Sequence, residues 1–464
     1  MQCDQVKPAC GLCSRLGIDC VDNGVKRYKF MAYQEPKDAG SDTTDSSQLA
    51  AVSSRSLSRS RSPSNETTAL VAALVHALEI QDVRYNIQAF GGKILTELPA
   101  QLGSCPELDL GVSAVVALYN SHQFNRSRVE GLKLYGRALS ATRKALVRPW
   151  ESPIIKMHTI VMVYICQVMI DRKHADRHRI MIAHIFRETV LRGTVGEIHQ
   201  DYLYGLLQIT VWASVHDPSV TLDSWFWEAH SLCSKPRPVK YHQGLSIHSL
   251  EVSTIAEIVT YLRDPSRNTY QLRCIYLLLQ SEKPRVRSLN LLAAAAANGP
   301  TAGSTQAGKV LISYQFSYAL MLGLEAVVNN VLRHSVPDNE DNSGNSDLLA
   351  EAWDCYQETI DVAEQGAFCR PFGSVSLPDA IKVVWGATMD VHDDTTLESM
   401  LRDFEKDLQG ADYVAEALVI RDRLQKINLS QRAAAEAPVD PEHWNTDDTS
   451  AEGDGLTSSE CVIL

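Results

Sequence analysis

The sequence predicts an all-α protein dominated by one large multi-helix domain. Three observations carry this. Apolar residues recur at spacings of three and four over long stretches, as in Val310, Tyr314, Ser317, Met321, Leu324, Val328 and Val331, which share one face of a long helix. Few windows show the strict alternation or β-branched enrichment of strands. Hydrophobic residues make up 45% of 464, enough to bury a substantial core.

Taken in order, the helical pattern opens at Thr67 or Thr68. Either can cap a helix running through LVAALVHALEIQDVRYNIQAF to Gly91-Gly92. The stretch Ile154 to Ile170 is the longest apolar run. Lys156, His158 and Gln167 interrupt it, which predicts a buried core helix rather than a membrane span. His178 to Leu191 reads as a further helix ending at Gly193, and Leu377, Ala380, Ile381, Val384 and Trp385 mark another. No fixed-period repeat is evident. Residues 67–435 are therefore expected to fold as one all-helical region of roughly a dozen helices.

The flanks differ from this region. Residues 31–66 form a small-residue and Ser/Arg-rich stretch, SSRSLSRSRSPS at its end, with no apolar periodicity, and they are expected to be a disordered linker. Residues 436–464 are expected to form an acidic, flexible tail. The net charge is −12, unevenly spread: residues 1–64 carry nine Lys/Arg against seven Asp/Glu, leaving 35 against 49 beyond them. Any contact to phosphate is thus expected near the beginning of the sequence. Residues 1–20 lack the apolar core of a signal peptide, so an intracellular chain with reduced thiols is expected.

The cysteines are placed just as unevenly. Four of eleven fall in MQCDQVKPACGLCSRLGIDC, at Cys3, Cys10, Cys13 and Cys20, separated by six, two and six residues. Two close thiolates on a tight loop chelate Zn²⁺ readily, and flanking cysteines can complete a tetrahedral sulfur shell. Pro8 restricts the loop before Cys10. A redox Cys-x-x-Cys would need a βαβ setting that this segment lacks.

This order, Cys-Asp, six residues with a proline, Cys-x-x-Cys, six residues and Cys, resembles the second half of the fungal Zn2Cys6 binuclear cluster. Further on, RALSATRKALVRP, an apolar helix and HRIMIAHIFRETVLRG are similar in texture to the start of the fungal regulatory domain. The resemblance implies a partial zinc-cluster module at 1–30 and a helical regulatory domain at 67–435. It matches Cys3, Cys10, Cys13 and Cys20 to the family's third to sixth cysteines, with Zn²⁺ as cofactor. It also implies a nuclear, non-enzymatic, sequence-specific regulator of RNA polymerase II transcription. The partners implied are DNA through a complete cluster, the transcription machinery or co-regulators, and a second copy of the chain; no membrane is expected.

Lys7, Arg15, Lys26, Arg27 and Lys29 surround or follow the cluster, where such residues would lie along phosphates without reading sequence. The pattern departs from the family in one respect. The family's opening Cys-x-x-Cys and basic base-reading helix are not present before Cys3. The intact spacing of the other four points to a sequence that starts partway through the module. The alternative is a helical regulatory or scaffold protein without autonomous DNA binding.

Other features fit simpler roles. His174 and His178, four apart, could share a helix face and a metal, with His184 six further on, yet solvated or capped histidines are the expectation. Trp225-Phe226-Trp227 is expected to be a hydrophobic anchor. Arg126 to Arg148 holds seven basic residues against one Glu, expected to be a solvated helix face that balances an acidic neighbour. Cys461-Val462-Ile463-Leu464 fits a prenylation pattern but follows acidic residues, so chance is the expectation. No nucleophile elbow, phosphate-binding Gly loop or dinucleotide fingerprint occurs, and no enzyme is expected.

Overall fold

Periodicity alone places the central helices, and the computed structural model shows how they pack. It describes residues 65–79, 81–148, 152–233, 247–264, 269–298, 305–335 and 343–436. Two units divide the chain, at 1–59 and 60–464, and every described residue belongs to the second. The cysteine-rich segment expected to bind zinc, the expected linker up to residue 64 and the acidic stretch from 437 lie outside the described residues.

Among the described residues there are sixteen α-helices and no strand. The all-α expectation holds, with more helices than periodicity alone resolved. The first run is one reason. It was expected as one helix from a Thr67 or Thr68 cap to Gly92, but α1 spans Asn65–Leu78 with both threonines inside it. Asp82 then accepts from the Arg84 amide and opens a short 3-10 turn. Asn86 does the same for Gln88 and opens α2, Gln88–Gly91. Such local side-chain bonds compete with helix continuation. Gly92, at φ +52°, turns the chain into α3, Lys93–Glu97.

The next helices form a first group. α4 (Pro106–Gln123) packs on α5 (Val129–Leu146) and on α6 (Pro153–Ile170), which in turn packs on α7 (Asp176–Leu191). α6 is the apolar run from the sequence. It is long and apolar enough to cross a membrane by composition, but 61% of it is buried inside the protein, with His158 only 1% exposed. A helix apolar on nearly all sides is the expected centre of a helical layer. α7 ends as expected at Gly193, whose φ of +70° suits a residue without Cβ. α8 (Gln200–His216), α9 (Ser224–Ser231) and α10 (Val252–Arg263) complete this group.

α11 (Thr269–Asn298) and α12 (Thr305–Ser335) begin a second group as a pair of long neighbours. α12 also packs on α13 (Ser343–Gly366), α14 (Leu377–Thr388) and α16 (Tyr413–Glu436), while α15 (Thr396–Phe404) lies against α14. Tyr314, Ser317, Met321, Leu324, Val328 and Val331 are all buried, as their spacing predicts; Val310, at the helix start, is exposed. One continuous hydrophobic core runs through both groups. Phe372 pins them together, packing edge-on against Phe90 at 5.2 Å and at a tilt against the His122 ring at 5.1 Å.

Candidate functional site

Cys3, Cys10, Cys13 and Cys20, and Lys7, Arg15, Lys26, Arg27 and Lys29, all lie outside the described residues, as does Cys461. The six described cysteines are single and unpaired. Burial pushes the Cys105 thiol up to about 11 and Cys369 up to about 12, and raises Cys166 and Cys355 further. These thiols stay protonated and unreactive near neutral pH.

Within the helical domain, charge is concentrated in two buried seams. The first lies between α11, α12 and α13. The Glu325 carboxylate is 1% exposed and accepts from Lys283 Nζ at 2.9 Å and from Gln280 Nε2 at 2.9 Å. Lys283 also faces Glu358 at 3.5 Å, which Arg287 approaches at 3.1 Å and to which the Tyr318 hydroxyl donates at 2.5 Å. Two carboxylates and two cations thus neutralise each other, with Glu325, Lys283 and Glu358 largely shielded and Arg287 reaching in from the half-exposed rim. Burial raises the Glu325 carboxyl, and Lys283 partly opposes this; the Glu325 Oε2 has no hydrogen-bond partner among the described residues. Burial works to lower Lys283, but Glu325 and Glu358 outweigh it and hold the ammonium charged.

The seam continues down α12. Tyr276 donates to Glu351 at 2.5 Å and accepts from Asn329 at 2.9 Å; Asn329 accepts from Arg333 at 2.8 Å, and Arg333 meets Asp390 at 2.8 Å. Asn330 donates to the Ala387 carbonyl at 2.7 Å and accepts from Asn428 at 3.0 Å, tying α14 and α16 to the same helix.

The second seam joins the two helix groups. Arg172, in the turn between α6 and α7, meets Asp379 of α14 at 2.6 Å and lies over the Tyr413 ring. Lys382 bridges Asp379, at 2.7 Å, and Glu416 of α16. Asp379 is hemmed in by protein although 39% of its side chain meets solvent. Burial would raise its carboxyl, but Arg172 and Lys382 outweigh that and hold it far below the usual carboxylate range. The Arg172 amide also donates to the Gln409 carbonyl at 2.9 Å.

Among the described residues, one set of three groups could reach a metal together: Glu97, His199 and Asp201, with ligand atoms within 4.8 Å of one another. His199 is exposed, and the set has no sulfur donor, so it does not match a structural zinc site. Behind it, His158 and Tyr202 stack with ring centroids 4.3 Å apart, and neither ring has a hydrogen-bond partner for its polar atoms. Burial alone holds His158 down at about 4.

The remaining sequence candidates resolve individually. His174 and His184 are exposed, and burial lowers His178. Trp225 and Phe226 are buried; Trp225 packs edge-on against Phe186 and against Phe226, the hydrophobic anchor expected of them. The basic residues from Arg126 to Lys144 lie on the outer surface of α5 and the turn before it, while Arg148 pairs with Glu107 at 3.0 Å. The buried seams were not found from sequence. Their one signal was Glu325 inside the apolar run of α12; its partner Lys283 is 42 residues away.

These seams hold helices in register and neutralise charge; they present no activated nucleophile beside a base. No family model, curated protein or solved structure matches the chain.

Proposed function

We propose that the chain is a zinc-dependent, fungal-type transcription regulator of RNA polymerase II genes, acting in the nucleus through DNA and transcriptional co-regulators. The observation that carries this reading is the spacing of Cys3, Cys10, Cys13 and Cys20 around Pro8. When bound, Zn²⁺ would supply the tetrahedral organisation that fixes the fold of so short a segment. Lys7, Arg15, Lys26, Arg27 and Lys29 would contact phosphates rather than bases. The all-helical domain supports the reading in class and length, and its outward acidity suits protein partners better than DNA.

Sequence readout needs a side chain in the major groove, and Lys7, Arg15, Lys26, Arg27 and Lys29 are placed for phosphates instead. The chain as it stands is therefore expected to bind DNA weakly, with steep salt dependence and no preferred site. An added Cys-x-x-Cys segment with a basic run should create a preferred site. Selection from randomised duplexes at one fixed salt concentration, run on both chains, tests this. A motif enriched by the unextended chain would place recognition elsewhere. No motif from the extended chain would favour the second reading, a helical scaffold acting through protein contacts alone.

A further inference from the structure

The overall acidity of the protein is interrupted on one face. Along α5, Lys133, Arg137, Arg143 and Lys144 are exposed, and among the described residues the last three make no ion pair. Just beyond Lys144, the end of α5 meets α6 and α7 around an open groove of about 650 Å³. Leu146, Ile180, Met181 and Ile185 line it with apolar surface, and Val147 beside them is 80% exposed. Lys156, Arg177 and Arg192 stand around the same groove; among the described residues Glu188 is the one acid lining it, already paired with Arg192 at 3.4 Å. A surface of this kind matches an anionic segment that also carries large apolar side chains. Duplex phosphates would satisfy the cations and leave the apolar lining uncovered.

The chain contains such a segment. Residues 437–464 hold seven Asp/Glu and no Lys or Arg, interleaved with Trp444, Leu456 and the terminal Val462-Ile463-Leu464. They follow directly from α16, which ends at Glu436. Twenty-eight residues can span about 90 Å when extended. A domain of this size has a radius of gyration of only about 20 Å, so the segment reaches any point on its surface. Tethering raises its local concentration to about the millimolar range, where modest contacts suffice.

We infer that the α5–α7 groove is a docking surface for acidic, aromatic-bearing peptide, and that its resident occupant is the chain's own residues 437–464. Trp444 would cover the apolar lining while Asp447 and Asp448 meet the cations around it. The same contact would mask the basic face until a partner with a better acidic segment displaced the tail.

The test places a photoreactive phenylalanine analogue at position 444 of the full chain and maps the cross-links by mass spectrometry. Cross-links within one molecule should concentrate on the peptides around Leu146–Val147 and Ile180–Ile185. Their yield should fall by about fivefold or more in about 0.5 M NaCl, because exposed charge pairs are screened there. It should fall similarly in the Arg143→Glu, Lys144→Glu, Arg177→Glu variant with unchanged circular dichroism. Asp447→Asn with Asp448→Asn makes the same test without touching the helical domain. Cross-links spread over other helices, yields indifferent to salt and to both variants, or cross-links formed only between molecules would overturn the inference. So would duplex DNA binding to this face with equal affinity whether or not residues 437–464 are present.

Discussion

At the scale of single residues, His158 shows most clearly what burial does to a side chain. It sits on the most apolar helix of the first group, 1% exposed, with neither ring nitrogen bonded and the Tyr202 ring 4.3 Å away. Desolvation of the charged form is the sole influence on it and holds it down at about 4 against an ordinary 6.5. The unfolded chain therefore takes up this proton first as pH falls. The associated stability is fully present above pH 6.5 and is lost progressively as pH falls towards 4. Its size is on the order of 3 kcal/mol at the acid end. Replacing His158→Phe should remove that part of the acid dependence while leaving the neutral-pH stability within about 1.5 kcal/mol. Urea unfolding of both proteins across this range measures it. Parallel stability curves for the two proteins would show that His158 is not held neutral.

At the scale of helices, charge placement rather than apolar packing distinguishes α12. Removing Lys283 would leave the buried Glu325 without a cation and Glu358 with Arg287 alone. We predict that Lys283→Met destabilises the domain by about 3–5 kcal/mol, the usual consequence of stranding a buried charge. Adding Glu325→Leu should recover a large share, because both charges are then gone. A double variant no more stable than the single one would contradict the pairing. These helices also show what the sequence makes legible. The 3–4 spacing of α12 and of α14 was readable because each needs only its own residues to display a buried face. Gly193 marked the end of α7 for the same reason: a left-handed turn is a local requirement. The seams were not readable, because Lys283 with Glu325 and Arg172 with Asp379 are partners separated by 42 and 207 residues. The break after Leu78 was missed because hydrophobic spacing continues through it while Asp82 and Asn86 recapture the backbone.

At the scale of the whole molecule, the sequence joins a short cysteine-rich segment to an acidic helical domain that carries a basic groove. The domain is built from two helix groups that share one core, locked by Phe372 and by the Arg172–Asp379–Lys382 seam. Among the described residues its buried thiols are protonated and its buried charges are mutually neutralised. The candidate site that sequence reasoning placed at Cys3, Cys10, Cys13 and Cys20 rests on spacing, and the proposed regulatory role rests on that site holding zinc. The most direct measurement is elemental analysis of the purified full chain beside its Cys10→Ser variant. With four thiolates gathered on one tetrahedral centre, the purified protein should carry one zinc per chain, lost in the variant. Zinc absent from both proteins would contradict it, and so would two zincs per chain lost together.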